Sequence, residues 1–140
     1  MLDPIRPLAD IFHYHIHIYF DAASQAKACA LREAIGARFK VQLGRVFDKP
    51  VGPHPLPQYE IGVLQEEFGA LLGWLMLNHQ GLSILAHPNT DLERHDHSSS
   101  AFWLGQPVQL DFQRTAPSLR AIGQDAPRPV LLDSQPHLPA

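Results

Sequence analysis

Apolar and polar residues alternate along a short segment near the beginning of the chain, over about residues 12–20. Successive side chains of a β-strand point to opposite faces of the sheet. One face of this segment would therefore carry His13, His15 and His17, and the other would carry Tyr14, Ile16, Ile18 and Phe20. The pattern predicts a strand with a row of imidazoles on one side and an apolar surface on the other.

The following segments predict a regular order of helices and strands. A helix follows Asp21, strands cover about residues 39–47 and 58–64, an amphipathic helix ends at Gly81, and a strand covers residues 82–87 before Pro88. The order β-α-β-β-α-β is typical of a ferredoxin-like α+β fold, in which two helices cover one face of an antiparallel sheet. We expect the spatial strand order 4-1-3-2 and an open second face.

The remaining segments are less regular. Residues 50–57 contain four prolines and predict a stiff loop around His54. Residues 89–100 are polar and predict a surface loop that could fold over the open face, and short strands are expected at residues 101–104 and 108–111. The sequence thus predicts one ferredoxin-like domain over residues 1–112. Residues 113–140 form a proline-rich tail, which we expect to be irregular or partly disordered, or to reach a neighbouring subunit.

Composition narrows the classes of function. A formal charge of −3 gives no electrostatic reason to expect nucleic acid as a partner. No apolar stretch is long enough to span a membrane, and the first residues lack the apolar core of a signal peptide, so the expected location is cytoplasmic. Cys29 is the only cysteine, which excludes an internal disulfide and a thiolate-rich metal site. Histidines and carboxylates must therefore provide any metal ligands.

Four residues are candidate metal ligands, namely His15, His17, His87 and Glu60. Strand one lies between strands three and four in the expected sheet, so these side chains can converge on the open face. Two histidines and one carboxylate are a typical ligand set for non-haem Fe(II). Antiparallel geometry favours a group of His15, His17 and His87, whereas the distance to Glu60 depends on a strand register that one sequence does not define.

A second interpretation assigns the histidines no chemistry. Alternating histidines also occur as polar side chains on a solvated or dimer-facing strand, and the chain would then be a non-catalytic dimeric module that binds a small aromatic ligand or a partner. His13 is expected to be structural, and no role is expected for His79, His95 or His137. A homodimer fits either interpretation because an open sheet face or edge needs protection.

Several short motifs, in this order and spacing, resemble the DOPA 4,5-dioxygenase family over about residues 11–111. They are His15-Ile16-His17-Ile18-Tyr19-Phe20, Val51-Gly52-Pro53-His54-Pro55, Leu82-Ser83-Ile84-Leu85-Ala86-His87-Pro88, and Asp96-His97 followed by Ala101-Phe102-Trp103-Leu104-Gly105. The resemblance implies a ferredoxin-like extradiol dioxygenase that opens the ring of a catechol such as DOPA with O2 and Fe(II). Zinc could replace the iron in purified protein.

The resemblance also suggests roles for further residues. Ring opening requires proton transfer, which suits a histidine that titrates near neutral pH. We expect His54 and His97 to carry these protons, with His54 held by its proline-rich loop and His97 placed on a loop that can close. Arg45 or Arg94 could bind a carboxylate group of the substrate.

Overall fold

The computed structural model describes residues 1–140 and contains one antiparallel sheet of five strands in the order β2-β3-β1-β4-β5. The elements are β1 (His13–Tyr19), α1 (Gln25–Gly36), β2 (Gln42–Leu43), β3 (Gln58–Val63), α2 (Gln65–Asn78), β4 (Ile84–Asn89), α3 (Glu93–Asp96) and β5 (Phe102–Leu104). The first four strands have the expected order 4-1-3-2, which confirms the ferredoxin-like α+β fold. The fifth strand extends this sheet beyond β4. No helix is both long and apolar enough to cross a membrane.

The main core lies between the sheet and the two long helices. Ile16 and Ile18 of β1 are completely buried there and pack with Ile35 of α1 and Leu75 of α2. These are the apolar positions that alternate with the histidines in β1. Burial of the apolar face against α1 and α2 therefore leaves the imidazole row on the opposite face of the sheet.

The second strand is much shorter than the predicted segment 39–47. Only Gln42–Leu43 pair with β3, and Phe47 forms one isolated bridge. The backbone just before these two residues is hydrogen-bonded to the tail, since Ser134 Oγ accepts a hydrogen bond from the Val41 amide at 2.8 Å. The fourth strand has the predicted length but is shifted by two residues, so that it runs through Pro88 to Asn89. It can do so because Pro88 faces Tyr14 of β1 at a non-hydrogen-bonded position and β5 pairs only as far as Ala86, so neither neighbouring strand requires its missing N–H.

We expected the sheet face that carries the histidines to be open, but it is partly covered. Residues 108–111 form no strand, and Leu110 instead packs with Tyr19 and Leu85 in a small second core beside Trp103. The expectation of an open face was wrong because Tyr19 and Leu85 give this face apolar surface of its own. Covering that surface with the segment after β5 removes it from water.

The tail is irregular apart from short 3-10 turns and packs along its own chain. Its first part is bound to the segment after β4, where the Leu119 amide donates to the Asp91 carbonyl at 2.7 Å. Its last part follows the edge of β2, where the Leu131 amide donates to Gln42 Oε1 at 2.9 Å. The tail between these two attachments passes over the remaining part of the histidine face.

Candidate active site

Strand register brings the candidate ligands together across three strands. His15 lies opposite His87 of β4, and His17 lies opposite Glu60 of β3. This register answers the question that the sequence left open, since Glu60 Oε1 lies 3.0 Å from His15 Nδ1 and 3.7 Å from His17 Nε2. Loops add His54 and His97 from the side of the sheet face.

Two overlapping groups of histidines have nitrogens close enough for one metal ion. The nitrogens of His15, His17 and His87 lie within 4.8 Å of one another, and so do those of His17, His54 and His97. All the histidines predicted to serve the site are thus in one cluster. Glu60 belongs to neither group, although it contacts His15 and His17.

Hydrogen bonds define which nitrogen of each ligand candidate is free. His87 Nδ1 donates to the Pro88 carbonyl at 2.8 Å, and His17 Nδ1 donates to Gln58 Oε1 at 2.9 Å. A neutral imidazole has one N–H, so both Nε2 atoms have lone pairs. These two atoms face each other at 3.1 Å in a buried site. Two lone pairs in that arrangement repel, and a cation bound by both would remove the repulsion.

The third member of this group has the same arrangement. His15 Nδ1 donates to the Glu60 carboxylate, which leaves its Nε2 free as a ligand. Metal-bound histidines usually donate their other nitrogen to a carboxylate or a carbonyl. The group of His15, His17 and His87 therefore fits a metal ion, with Glu60 as a partner of His15.

The second group, His17, His54 and His97, differs in which ring nitrogens carry a hydrogen. His97 Nδ1 donates to the Glu93 carbonyl at 2.9 Å, so its Nε2 can accept a proton. His54 Nδ1 lies 2.6 Å from the hydroxyl of Tyr19, which has no other hydrogen-bond partner. The phenol is the better donor, so His54 Nδ1 accepts and its Nε2 carries the proton. His54 in this state presents a hydrogen-bond donor rather than a lone pair for a metal ion.

Burial keeps His17, His54 and His87 neutral. It lowers the pKa of His17 and His87 well below the usual 6.5, and burial followed by the neighbouring His97 lowers the pKa of His54 to about 3. For Glu60 burial is the largest single influence and would raise the pKa of the carboxyl, but the hydrogen bond from His15 and the electrostatic attraction of His15, His17 and His97 together outweigh it and lower the pKa to about 2. The site thus combines neutral imidazoles with one carboxylate, which favours binding of a cation.

Comparison with known proteins identifies the family. The sequence model of the Dopa 4,5-dioxygenase family matches residues 14–114. The chain belongs to this family. It is 39% identical over 112 residues to the DOPA 4,5-dioxygenase of Amanita muscaria, covering 74% of this chain and 49% of that protein. It is 38% identical to an uncharacterised 21.2 kDa protein of Botryotinia fuckeliana, covering 71% of this chain and 60% of that protein.

A solved structure supports the same assignment. The crystal structure of a candidate dioxygenase from Nostoc punctiforme is 44% identical with a TM-score of 0.78, and the match covers 84% of this chain and 99% of that one. The chain spans only about half the length of the curated relatives that it matches. Two of these relatives are described as dioxygenases or candidate dioxygenases.

The segment expected to be a polar loop over residues 89–100 is partly regular in this family member. It continues β4 to Asn89 and then forms the short helix α3. The Asp96 carboxylate accepts bonds from the amide and the hydroxyl of Thr90, both at 2.7 Å. These bonds hold the end of α3 against the end of β4 and so position His97, which is buried rather than mobile at the surface.

Sequence reasoning missed two residues that support the site. Tyr19 lies on the histidine face of β1 two positions after His17, as the alternation of the strand predicts, but its bond to His54 depends on the path of a loop. Gln58 starts β3 and is buried, but its contact with His17 depends on the register of β1 and β3. His13 was expected to be structural, and it accepts a hydrogen bond from Asn89.

The arginines expected to bind a substrate carboxylate are engaged elsewhere. The guanidinium of Arg94 donates to the carbonyls of Phe112 and Thr115, at 3.1 and 2.6 Å. The guanidinium of Arg45 stacks on the ring of Phe47. Neither residue lines the cavity of about 370 Å³ beside the histidines. That cavity is bounded by His15, His17, His54, Glu60 and His97 on one side and by tail residues on the other.

Proposed function

We propose that this chain is an extradiol dioxygenase that opens the ring of a catechol such as DOPA with O2 at a non-haem Fe(II) centre. The observation that carries the proposal is the set of three imidazoles on adjacent strands, each with Nδ1 bonded to an acceptor and Nε2 free. The name of the Amanita muscaria relative supports the substrate class. The cavity beside these imidazoles provides space for a small aromatic molecule.

The metal would be held by His15, His17 and His87, with Glu60 either supporting His15 or joining the ligand set. Fe(II) would supply a Lewis acid and a template that brings the two catechol oxygens and O2 together. Two of the ligand candidates, His17 and His87, are almost completely buried. Their burial excludes water from this side of the site, which strengthens electrostatic interactions there. Zinc also fits imidazole ligands, so its presence in purified protein would not argue against iron.

Proton transfer is assigned to His54 and His97. Extradiol cleavage breaks a ring carbon–carbon bond beside the two oxygenated carbons, and both atoms of O2 enter the product. The catechol supplies all four electrons, so no other reductant is needed. His97 Nε2 can accept the proton of a catechol hydroxyl and later return it to oxygen as the substrate ring opens. His54 Nε2–H can donate a hydrogen bond to that oxygen and so assist the transfer.

Anaerobic reconstitution with Fe(II) tests the proposal. Addition of aerated buffer and a catechol should give a yellow ring-opened product and consume one O2 per catechol. Iron bound without product across a broad panel of catechols would contradict the enzyme. A protein that binds catechols but neither metal nor O2 would instead be the non-catalytic ligand-binding module.

Substitutions test the division of roles. We expect His17→Ala and His87→Ala to abolish iron retention, whereas His97→Ala should retain iron and lose turnover. His95→Ala is the matched control, because His95 is exposed and bonds only to Ser99. Equal iron loss in the His87 and His97 variants would contradict the assignment. A homodimer and a cytoplasmic location stay predictions, and analytical ultracentrifugation tests the first.

A further inference from the structure

Part of the wall of the cavity comes from outside the segment that matches the family. The family model ends at residue 114, whereas the cavity is also lined by Leu119, Ile122, Gln124, Pro127 and Arg128 of the tail. Three of these five are apolar. The tail therefore gives the cavity a wall that suits an aromatic ring, opposite the polar wall formed by the histidines.

Arg128 is the only lysine or arginine that lines this cavity. Its guanidinium forms no ion pair and no hydrogen bond in the chain, since only its carbonyl oxygen is engaged. The carboxylates of the cavity already have partners, because Glu60 is bonded to His15 and Glu93 accepts from the Ala116 amide at 2.9 Å. A permanent cation without a partner therefore lines the same cavity as the candidate metal site.

The backbone that carries this arginine is held in place. Asn89 Nδ2 donates to His13 Nδ1, so His13 Nε2 carries the proton and donates to the Arg128 carbonyl at 2.9 Å. Beyond this point, the tail is bonded to the edge of β2. His13 thus connects the imidazole strand with the tail. The side chain of Arg128 is long, but it starts from a backbone position that is defined relative to the site.

We propose that Arg128 binds a carboxylate on the side chain of the catechol, so that this chain prefers acidic catechols over neutral ones. The proposal rests on the proposed function of the same site. Guanidinium groups bind carboxylates through two parallel hydrogen bonds, which would orient the ring as well as attract it. The apolar residues Leu119, Ile122 and Pro127 would contact the ring and its side chain while the catechol oxygens face the histidines.

The experiment compares two catechols that differ in the carboxylate, dihydrocaffeate and ethylcatechol. The ratio of their kcat/KM values is measured for the iron-loaded wild type, Arg128→Gln and Arg120→Gln. Arg120 is the matched control because it is an exposed arginine of the same tail that lines a different cavity. Titration calorimetry under nitrogen measures the affinity for the same two compounds without turnover.

We expect the preference for dihydrocaffeate to fall about tenfold in Arg128→Gln, mainly through KM, and to stay unchanged in Arg120→Gln. Arg128→Lys should retain part of the preference because it keeps the charge but not the paired geometry. An unchanged preference in Arg128→Gln, or an equal fall in both glutamine variants, would overturn the proposal. A wild type that cleaves neither compound contradicts the proposed function instead, and the calorimetric affinities then decide the role of Arg128 separately.

Discussion

Replacing Tyr19 by phenylalanine tests the roles of the histidines by removing one hydroxyl group. The phenol is 2% exposed, and its hydrogen bond to His54 Nδ1 at 2.6 Å is the only one that it makes. Phenylalanine keeps the ring and its contacts with Trp103 and Leu85, so the hydrophobic term changes little. The cost is one lost hydrogen bond and an unsatisfied buried nitrogen, which together lower the free energy of unfolding by about 1–3 kcal/mol.

The effect on catalysis follows from the protonation of His54. Without the phenol, no hydrogen bond fixes the proton on His54 Nε2. Proton transfer by a positioned side chain typically contributes about 10²- to 10⁴-fold to the rate. We therefore expect Tyr19→Phe to lower kcat by about tenfold to a hundredfold. The KM and the iron content should change little, because the three ligand candidates do not depend on Tyr19.

The assay combines iron analysis, oxygen uptake and urea unfolding of the same preparations. Tyr14→Phe is the matched control. Its hydroxyl donates to Gln65 Oε1 at 2.8 Å on the helix side of the same strand, so it should reduce stability similarly without lowering kcat. Loss of iron in Tyr19→Phe would refute the reasoning, because it would indicate that His54 is itself a metal ligand. An unchanged kcat with reduced stability would restrict Tyr19 to a structural role.

The remaining predictions concern stability. Metal-free protein should lose stability as the pH falls below 6.5, by up to about 1.4 kcal/mol per pH unit for each buried histidine such as His54, whose pKa is lowered on folding. Its stability is fully present above pH 6.5, and thermal melts between pH 8 and 5 that do not change would contradict this. Gly44→Ala should destabilise, because a Cβ there would lie 2.3 Å from the Glu60 carbonyl oxygen, whereas Gly69→Ala should stabilise α2 by up to about 1 kcal/mol, since no atom lies within 4 Å. Urea unfolding measures the change in stability of both variants, and changes of the same sign would contradict the contacts described for the two glycines. Ser134→Ala removes the bonds to Val41 and Phe39, so hydrogen exchange should show faster exchange in the tail and no change in α1.

The sequence predicted best what depends on local periodicity. The alternation around His15 and His17 defines which side chains share a face, and the order of elements defines which strands are neighbours. These two properties are sufficient to bring His87 next to the imidazole row. The position of Glu60 additionally required the register between β1 and β3, which depends on packing between segments far apart in the chain.

The sequence predicted poorly what depends on irregular segments. The cover over Leu85, the bond between Tyr19 and His54, and the position of Arg128 all arise from loops and the tail. Such segments have no repeating pattern, and their path is determined by contacts that form only after the sheet has assembled. The apolar character of Val108 and Leu110 alone therefore did not indicate that their segment covers part of the histidine face.

The hydrogen bonds of the ligand candidates differ in how readily they can change during evolution. His17 and His15 donate to the side chains of Gln58 and Glu60, so single substitutions can alter the charge behind them. His87 donates to the backbone carbonyl of Pro88, which every amino acid at that position would retain. Descendants of this chain can therefore adjust the affinity and redox properties of the proposed metal centre through β3. The position of the proton on His87, by contrast, does not depend on which amino acid occupies position 88.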